Sequence, residues 1–173
     1  MSFLNMLLDQ VEYYLNRPSK ADIVLYDDLT YEHVVMPVVP ATLPEVEYNM
    51  NNEVFNGATG DILLAGYMGL RIYTLSDILL PVDKNYKFIR PRGSDGEEVK
   101  EFIEQRMKER KVMRIAVTFS DGSELINMAC LCNKAEFVKD KVGDYKATIE
   151  FCEYKYVNQT TDSTTGSNNT LTG

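Results

Sequence analysis

The side chains with which this sequence could perform catalysis are few, and His33 is its only histidine. A catalytic base or a multi-histidine metal site needs a second group held at a fixed distance. His33 stands in a strand-like stretch without a second histidine and without an identifiable acid–nucleophile pair. The acidic residues occupy helix and turn positions and form no glycosidase-type pair. We therefore interpret His33 as structural and predict no catalytic residue and no enzymatic activity.

The cysteines offer a second possible chemistry, metal binding. Cys130 and Cys132 are two residues apart on a predicted strand and so share one face. A structural zinc site takes four ligands, and only Cys152 remains to join these two. Three cysteines without a framework spacing also favour a reducing compartment over a disulfide scaffold. We predict buried thiols that behave as small apolar groups, with no metal site and no cofactor.

Anion binding is the third possibility. The segment from Gly66 to Gly69 is too short, and its glycines are wrongly spaced, for a phosphate loop. A basic loop follows further along the chain, with Lys84, Lys87, Arg90 and Arg92. These four residues could hold an anion, but we interpret the loop as solvated or as a contact with another subunit. The sequence therefore predicts no cofactor-binding residue.

Composition narrows the class of protein. The chain has 173 residues, 45% of them hydrophobic, which is enough for one folded domain with a core. Its formal net charge of -8 argues against nucleic-acid binding, which normally requires a basic face. No apolar run approaches the roughly 18–20 residues of a membrane span. The N-terminus has no basic leader or cleavage site, so we expect no signal peptide.

The second half of the chain predicts one helix followed by three antiparallel strands. Ser94 and Glu97 form a capping-box pattern, and Glu98–Lys111 reads as a helix. The apolar face predicted for this helix consists of Val99, Phe102, Ile103 and Met107. Alternating apolar residues predict strands at 113–119, 124–132 and 145–151, with a charged connection from Lys134 to Gly143.

The whole sequence divides into three parts. Residues 1–20 contain an amphipathic helix, Ser2–Asn16, which docks either on its own domain or on a neighbouring subunit. Residues 21–157 form the β-rich domain, and residues 158–173 form a polar, flexible tail. The first half of the domain contributes predicted strands at 21–25, 31–39, 45–48, 52–55, 61–65 and 70–75, and Ile78–Val82 leads into the basic loop. We predict an α+β fold: a mostly antiparallel sheet or split barrel with one packed helix (about 98–111) and a peripheral N-terminal helix.

Several of these stretches are similar to one family. The first two are a proline-flanked strand at Met36–Pro40 and an Asn-Asn-Glu-Val-Phe segment at Asn51–Phe55. The other two are a Gly-Leu-Arg-Ile-Tyr-Thr-Leu-Ser segment leading to Leu-Pro, at Gly69–Pro81, and a closing Tyr-Lys-Tyr at Tyr154–Tyr156. Between Val34 and Tyr156 the chain resembles the N-terminal region of LysM-type hub proteins from phage contractile tails and tailocins. Many members continue into a peptidoglycan-binding LysM module. Here a polar tail follows Val157, so we do not expect cell-wall binding.

The resemblance implies a structural role. The chain would connect the tail tube and hub with the baseplate or sheath, within a virion tail or baseplate assembled in the bacterial host cytoplasm. Implied partners are tube, hub, sheath or wedge proteins, in a symmetric homo-oligomeric ring, with no membrane and no specific nucleic acid. The alternatives are an assembly factor absent from the mature particle and, with less support, a tail-associated wall-degrading enzyme.

Overall fold

The structure, a computed structural model, describes residues 20–90 and 93–156. Within these ranges, every strand pair is antiparallel and there is one helix, which confirms the predicted β-rich α+β class. The predicted helix Ser2–Asn16 and the predicted tail from Asn158 to Gly173 lie outside the described residues. The elements are β1 (Ala21–Tyr26), β2 (His33–Val35), β3 (Glu53–Gly57), β4 (Gly60–Leu64), β5 (Ile72–Leu80), α1 (Gly96–Glu109), β6 (Met113–Phe119), β7 (Glu124–Lys139) and β8 (Tyr145–Glu153).

Six strands form the main sheet, in the order β2-β1-β6-β7-β8-β5, and this sheet curls into a half-barrel. Strand β7 connects the two halves of this sheet, because the first half of β7 pairs with β6 and the second half pairs with β8. The change of partner falls at Cys130, which lies opposite both Met113 and Glu153. Strands β3 and β4 form a separate two-stranded sheet.

The length of β7 corrects the prediction of a charged connection from Lys134 to Gly143. The strand continues through Lys139, and its pairing with β8 extends as far as Tyr145. Ala135 and Phe137 pack against the core, while the charged side chains that alternate with them along the strand are exposed. The period of two therefore persists beneath the charges, and the true turn spans only the residues around Gly143.

Helix α1 begins and ends two residues earlier than the predicted Glu98–Lys111. Its N-cap is Asp95, whose Oδ1 accepts a hydrogen bond from the Glu98 amide at 2.8 Å, while the Asp95 amide donates to Glu98 Oε2 at 3.0 Å. The capping box is thus one residue later than the predicted pair. Ser94 Oγ instead accepts a hydrogen bond from the Val35 amide of β2 at 3.3 Å, and the Ser94 amide donates to the Val35 carbonyl oxygen. At the other end, Arg110 takes a left-handed conformation and stops the helix.

The face that α1 buries also differs from the prediction in one respect. Val99 and Ile103 are fully buried and Phe102 is partly buried, as the spacing indicates. Met107 is 36% exposed, however, and Arg106 takes the inward position, with 2% exposure. The helix packs in this way against β7, β2 and β5 of the curled sheet.

Three strand predictions in the first half need correction. The predicted strand 31–39 is reduced to β2, because the prolines that follow cannot donate to a ladder. The predicted strand 70–75 is the first part of β5, which continues to Leu80 past a bulge at which Asp77 takes φ 50°. The predicted strand 45–48 contributes only the bridge between Glu47 and Ile72.

Gly96 lets the start of α1 approach the end of β5. A Cβ at this position would lie 2.3 Å from the carbonyl oxygen of Leu80. Alanine in a helix normally gains up to about 1 kcal/mol over glycine, but this clash with the backbone outweighs that gain. We expect Gly96→Ala to lower the free energy of unfolding by about 1–3 kcal/mol in urea titration. Glu101→Ala, on the exposed face of the same helix, is the control and should change it by less than about 0.5 kcal/mol. A neutral or stabilising Gly96→Ala would contradict the close contact.

Candidate interaction surface

The groups first considered for catalysis or metal binding are His33 and the cysteines, of which Cys152 lies opposite Leu131, between Cys130 and Cys132 along β7. His33 is exposed at the start of β2, with Nδ1 3.2 Å from the carbonyl oxygen of Tyr31. All three cysteines are free thiols. Burial raises the pKa of both Cys130 and Cys132 to about 12, so both stay protonated and weakly nucleophilic at neutral pH. Within residues 20–90 and 93–156, histidine, cysteine and carboxylate side chains form no group of three suited to a metal ion.

The basic loop is fastened to its own domain. Lys84 makes ion pairs with Asp95 at 3.3 Å and Glu98 at 3.1 Å, across the N-terminus of α1. Arg90 is buried and pairs with Asp22 of β1. Two of the four cations proposed for an anion or a subunit contact therefore bind carboxylates of the same chain, and Arg92 lies outside the described residues.

The feature that does stand out is a projecting hairpin. We call residues 47–70 the arm. Its outward and returning segments are joined by the Met50–Met68 bridge and by the β3–β4 ladder, with a tight turn at Ala58 and Thr59. At Gly66 the two segments come so close that a Cβ would lie 1.6 Å from the carbonyl oxygen of Asn51, so only glycine fits there.

The arm is apolar on both faces. Residues directly opposite in an antiparallel pair share a face, and neighbours along a strand alternate. Val54 lies opposite Leu63 on one face, and Phe55 lies opposite Ile62 on the other. All four side chains are more than half exposed, at 63%, 64%, 59% and 51% respectively. The ribbon therefore packs neither face on the core of its own domain.

Further apolar side chains extend this surface to the root of the arm. Monomeric soluble proteins rarely expose large contiguous apolar patches, and such patches mark interaction sites. An isolated two-stranded hairpin is also marginally stable in water without something to pack against. The exposed large apolar residues of the arm are Tyr48, Met50, Val54, Phe55, Ile62, Leu63, Leu64, Tyr67, Met68 and Leu70. We identify the arm as the candidate functional site, an interaction surface.

An ion pair fixes the root of the arm to the main sheet. Arg71 donates from Nε and Nη2 to Glu153 Oε1 at 3.0 and 2.8 Å, and its amide donates to Oε2 at 3.1 Å. The hydrogen bond to Glu153 raises the pKa of Arg71. Burial alone would raise the pKa of Glu153, but the bonds from Arg71 outweigh it and the pKa is lowered. The arm thus projects from a fixed base.

This ion pair makes stability depend on acid pH. Because the pKa of Glu153 is lowered in the folded state, its contribution is complete above the ordinary value of 4.5 and is lost as the pH falls below it. We expect urea titrations over a series of acidic pH values to show a smaller acid-induced loss of stability in Glu153→Gln than in the wild type. Glu136→Gln, an exposed residue of β7, is the control and should retain the wild-type dependence. Identical profiles for wild type and Glu153→Gln would contradict the assignment.

Sequence reasoning missed the arm, although a signal was present. Val54-Phe55 and Ile62-Leu63-Leu64 are consecutive apolar residues, and consecutive apolar residues place apolar groups on both faces of a strand. This pattern is typical of a strand covered on both sides. Here the covering elements are not among the described residues, so the pattern indicates burial by something else.

Comparison with known proteins does not identify a family. No protein-family model matches the chain, and no curated protein is significantly similar to it in sequence. The part of the chain that the structure describes includes no helix with the length and apolarity needed to cross a membrane. A functional assignment therefore has to be argued from the arm and from the residues around it.

Proposed function

We propose that this chain is a structural protein of a phage or phage-like contractile tail, connecting the tube and hub with the baseplate or sheath. The observation that supports it most is the arm, whose two apolar faces are both exposed at Val54, Phe55, Ile62 and Leu63. A ribbon that is apolar on both faces becomes fully desolvated only when it is inserted between two other surfaces. Such insertion is the task of a connecting subunit in a crowded assembly.

The sequence resemblance specifies which assembly. The segment Asn51–Phe55, which carries part of the resemblance to contractile-tail hub proteins, is also the outward half of the arm. One of the stretches that carry the resemblance therefore lies in the candidate interface. On this proposal the partners are tube, hub, sheath or wedge proteins, and the protein resides in the tail or baseplate of the particle.

The alternative of an assembly factor makes the same contacts but leaves before the particle is complete. Quantitative mass spectrometry of purified particles and of the lysate that produced them separates the two. We expect this chain in the particles at a fixed ratio to the tube and sheath proteins. Its presence in the lysate together with its absence from the particles would overturn the proposal in favour of the assembly factor.

The alternative of a wall-degrading enzyme is tested separately. His33 is exposed and has no acid–nucleophile partner among the described residues, while Cys130 and Cys132 are protonated at neutral pH. We expect no clearing in a peptidoglycan gel assay with the purified chain. Clearing that persists in His33→Ala would still identify an enzyme, with a catalytic group elsewhere in the chain, and would contradict a purely structural role.

A further inference from the structure

Charge is distributed unevenly along this chain. Residues 21–70 contain eight acidic residues and neither lysine nor arginine, whereas residues 71–156 contain sixteen basic and fifteen acidic residues. The net negative charge of the described domain thus originates in its first half. The second half is nearly neutral overall, so a complement to the acidic first half has to come from a local group of basic residues.

The acidic residues of the sheet are already matched within the chain. Asp22 pairs with Arg90, Asp28 with Arg114, and both Asp27 and Glu32 with Arg106. The acidic residues of the arm and of the segment leading into it are not matched in this way, because no ion pair joins them to any described residue. They are Glu45, Glu47, Glu53 and Asp61.

A cationic groove lies at the C-terminal end of α1. It has a volume of about 150 Å³; we call its apolar lining residues Met107 and Leu131 the floor, and its basic lining residues Arg110 and Lys111 the rim. Lys111 pairs with Glu109 at 2.6 Å, whereas Arg110 makes no ion pair with a described residue. The residues around the groove are Arg106, Met107, Arg110, Lys111, Leu131, Cys132 and Asn133.

This groove differs from three other concavities of the described residues in that no acidic side chain lines it. A cavity beside β1 contains Asp27 and Asp28, one over the β5 bulge contains Asp77 and Glu136, and one beside the β7–β8 turn contains two further aspartates. The groove at the end of α1 contains no acidic residue. A space of about 150 Å³ accommodates one aromatic ring, and the arm carries one at Phe55.

We propose that the arm of one copy docks in the cationic groove of a second copy, with Phe55 over the floor between Met107 and Leu131. Glu53 shares the Phe55 face of the arm and meets the basic rim at Arg110. The arms of two copies do not pair with each other, because that arrangement would bring uncompensated carboxylates together. This contact depends on the unmatched charges and on the groove, and it holds whether or not the tail assignment is correct.

Charge reversal in the purified chain tests the contact. Sedimentation velocity over a concentration series should show the wild type self-associating. Arg110→Glu/Lys111→Glu should weaken the association about tenfold or more, since like charges in an interface cost several kcal/mol. Glu53→Arg should weaken it similarly, and an equimolar mixture of this variant with the double reversal should recover association. Lys139→Glu/Lys141→Glu is the matched control, because these lysines lie at the β7–β8 turn, away from the groove.

A second experiment, crosslinking, tests the same contact without charge-reversal variants, so it does not require those variants to fold. A photocrosslinking phenylalanine analogue at position 55 should label peptides containing Met107 or Leu131, and mixed isotope labelling should show that the two peptides come from different copies. A wild type that stays monomeric at the highest concentration would overturn the proposal. So would association that resists both reversals, or crosslinks confined to one copy. Mass spectrometry of particles decides the proposed function independently of these outcomes.

Discussion

Replacing Val54, Phe55, Ile62 and Leu63 with serine is expected to abolish incorporation of the chain into particles while the domain stays folded. None of the four belongs to the buried core, so the sheet and α1 lose no packing. Full burial of one large apolar side chain contributes about 1.5–3 kcal/mol. Removing four of them from an interface should therefore lower the affinity by several orders of magnitude. Quantitative mass spectrometry of particles made with the variant chain measures the effect.

The control for this variant carries the same number of serine substitutions at exposed apolar positions outside the arm. These positions are Phe88, Leu125, Val138 and Val142, which are between 40% and 64% exposed. We expect the control chain to enter particles at the wild-type ratio. Circular dichroism should give matching spectra for both variants. Equal loss of both from particles, or normal incorporation of the arm variant, would refute the arm as an interface.

The second large effect concerns Arg106, the one cation that α1 turns inward. Its side chain is 1% exposed, its Nη2 lies 2.5 Å from Glu32 Oε2 and 3.5 Å from Asp27 Oδ2, and its guanidinium stacks 4.7 Å from the centre of the Phe102 ring. Truncation leaves the buried Asp27 carboxylate without its counter-charge. We expect Arg106→Ala to lower the free energy of unfolding by about 3–5 kcal/mol in urea titration.

Two further variants separate the charge from the packing. Arg106→Met keeps an unbranched stem against Phe102, and it removes the buried Nε and Nη1 atoms that lack a described hydrogen-bond partner, so it should cost less than alanine. Asp27→Asn keeps the Oδ1 that accepts from the amides of Leu29 and Thr30 at 2.7 and 3.0 Å. Combined with Arg106→Met it should cost less than the sum of the single changes. Lys108→Ala is the exposed control. A mild Arg106→Ala would contradict the buried ion-pair network.

Local periodicity was enough to predict the elements that depend on near neighbours. Strand β6 and strand β8 follow their apolar alternation closely, and the capping box was found within one residue. Strand β7 was predicted too short because its second half places lysine and glutamate on the open face. Only its pairing with β8 reveals that Ala135 and Phe137 continue the core.

The features that the sequence did not predict depend on partners that are distant along the chain or that belong to other chains. Arg106 is buried because Glu32, 74 residues away, and Asp27 come to it from the β1–β2 turn. The spacing from Val99 and Ile103 does turn position 106 inward, but a charged residue is not expected in a core, so Met107 was predicted there instead. The arm was missed for a related reason. A pattern of apolar residues shows that a surface needs covering, but it does not show whether the cover belongs to the same chain.

A side-chain-resolution cryo-EM map of the particle tests the central claim, that the arm is the surface by which this chain joins an assembly. We predict density for the chain in the tail or baseplate, with both faces of β3 and β4 buried against other chains and Val54, Phe55, Ile62 and Leu63 no longer in contact with solvent. A map that contains the chain but leaves its arm projecting into solvent would contradict the account.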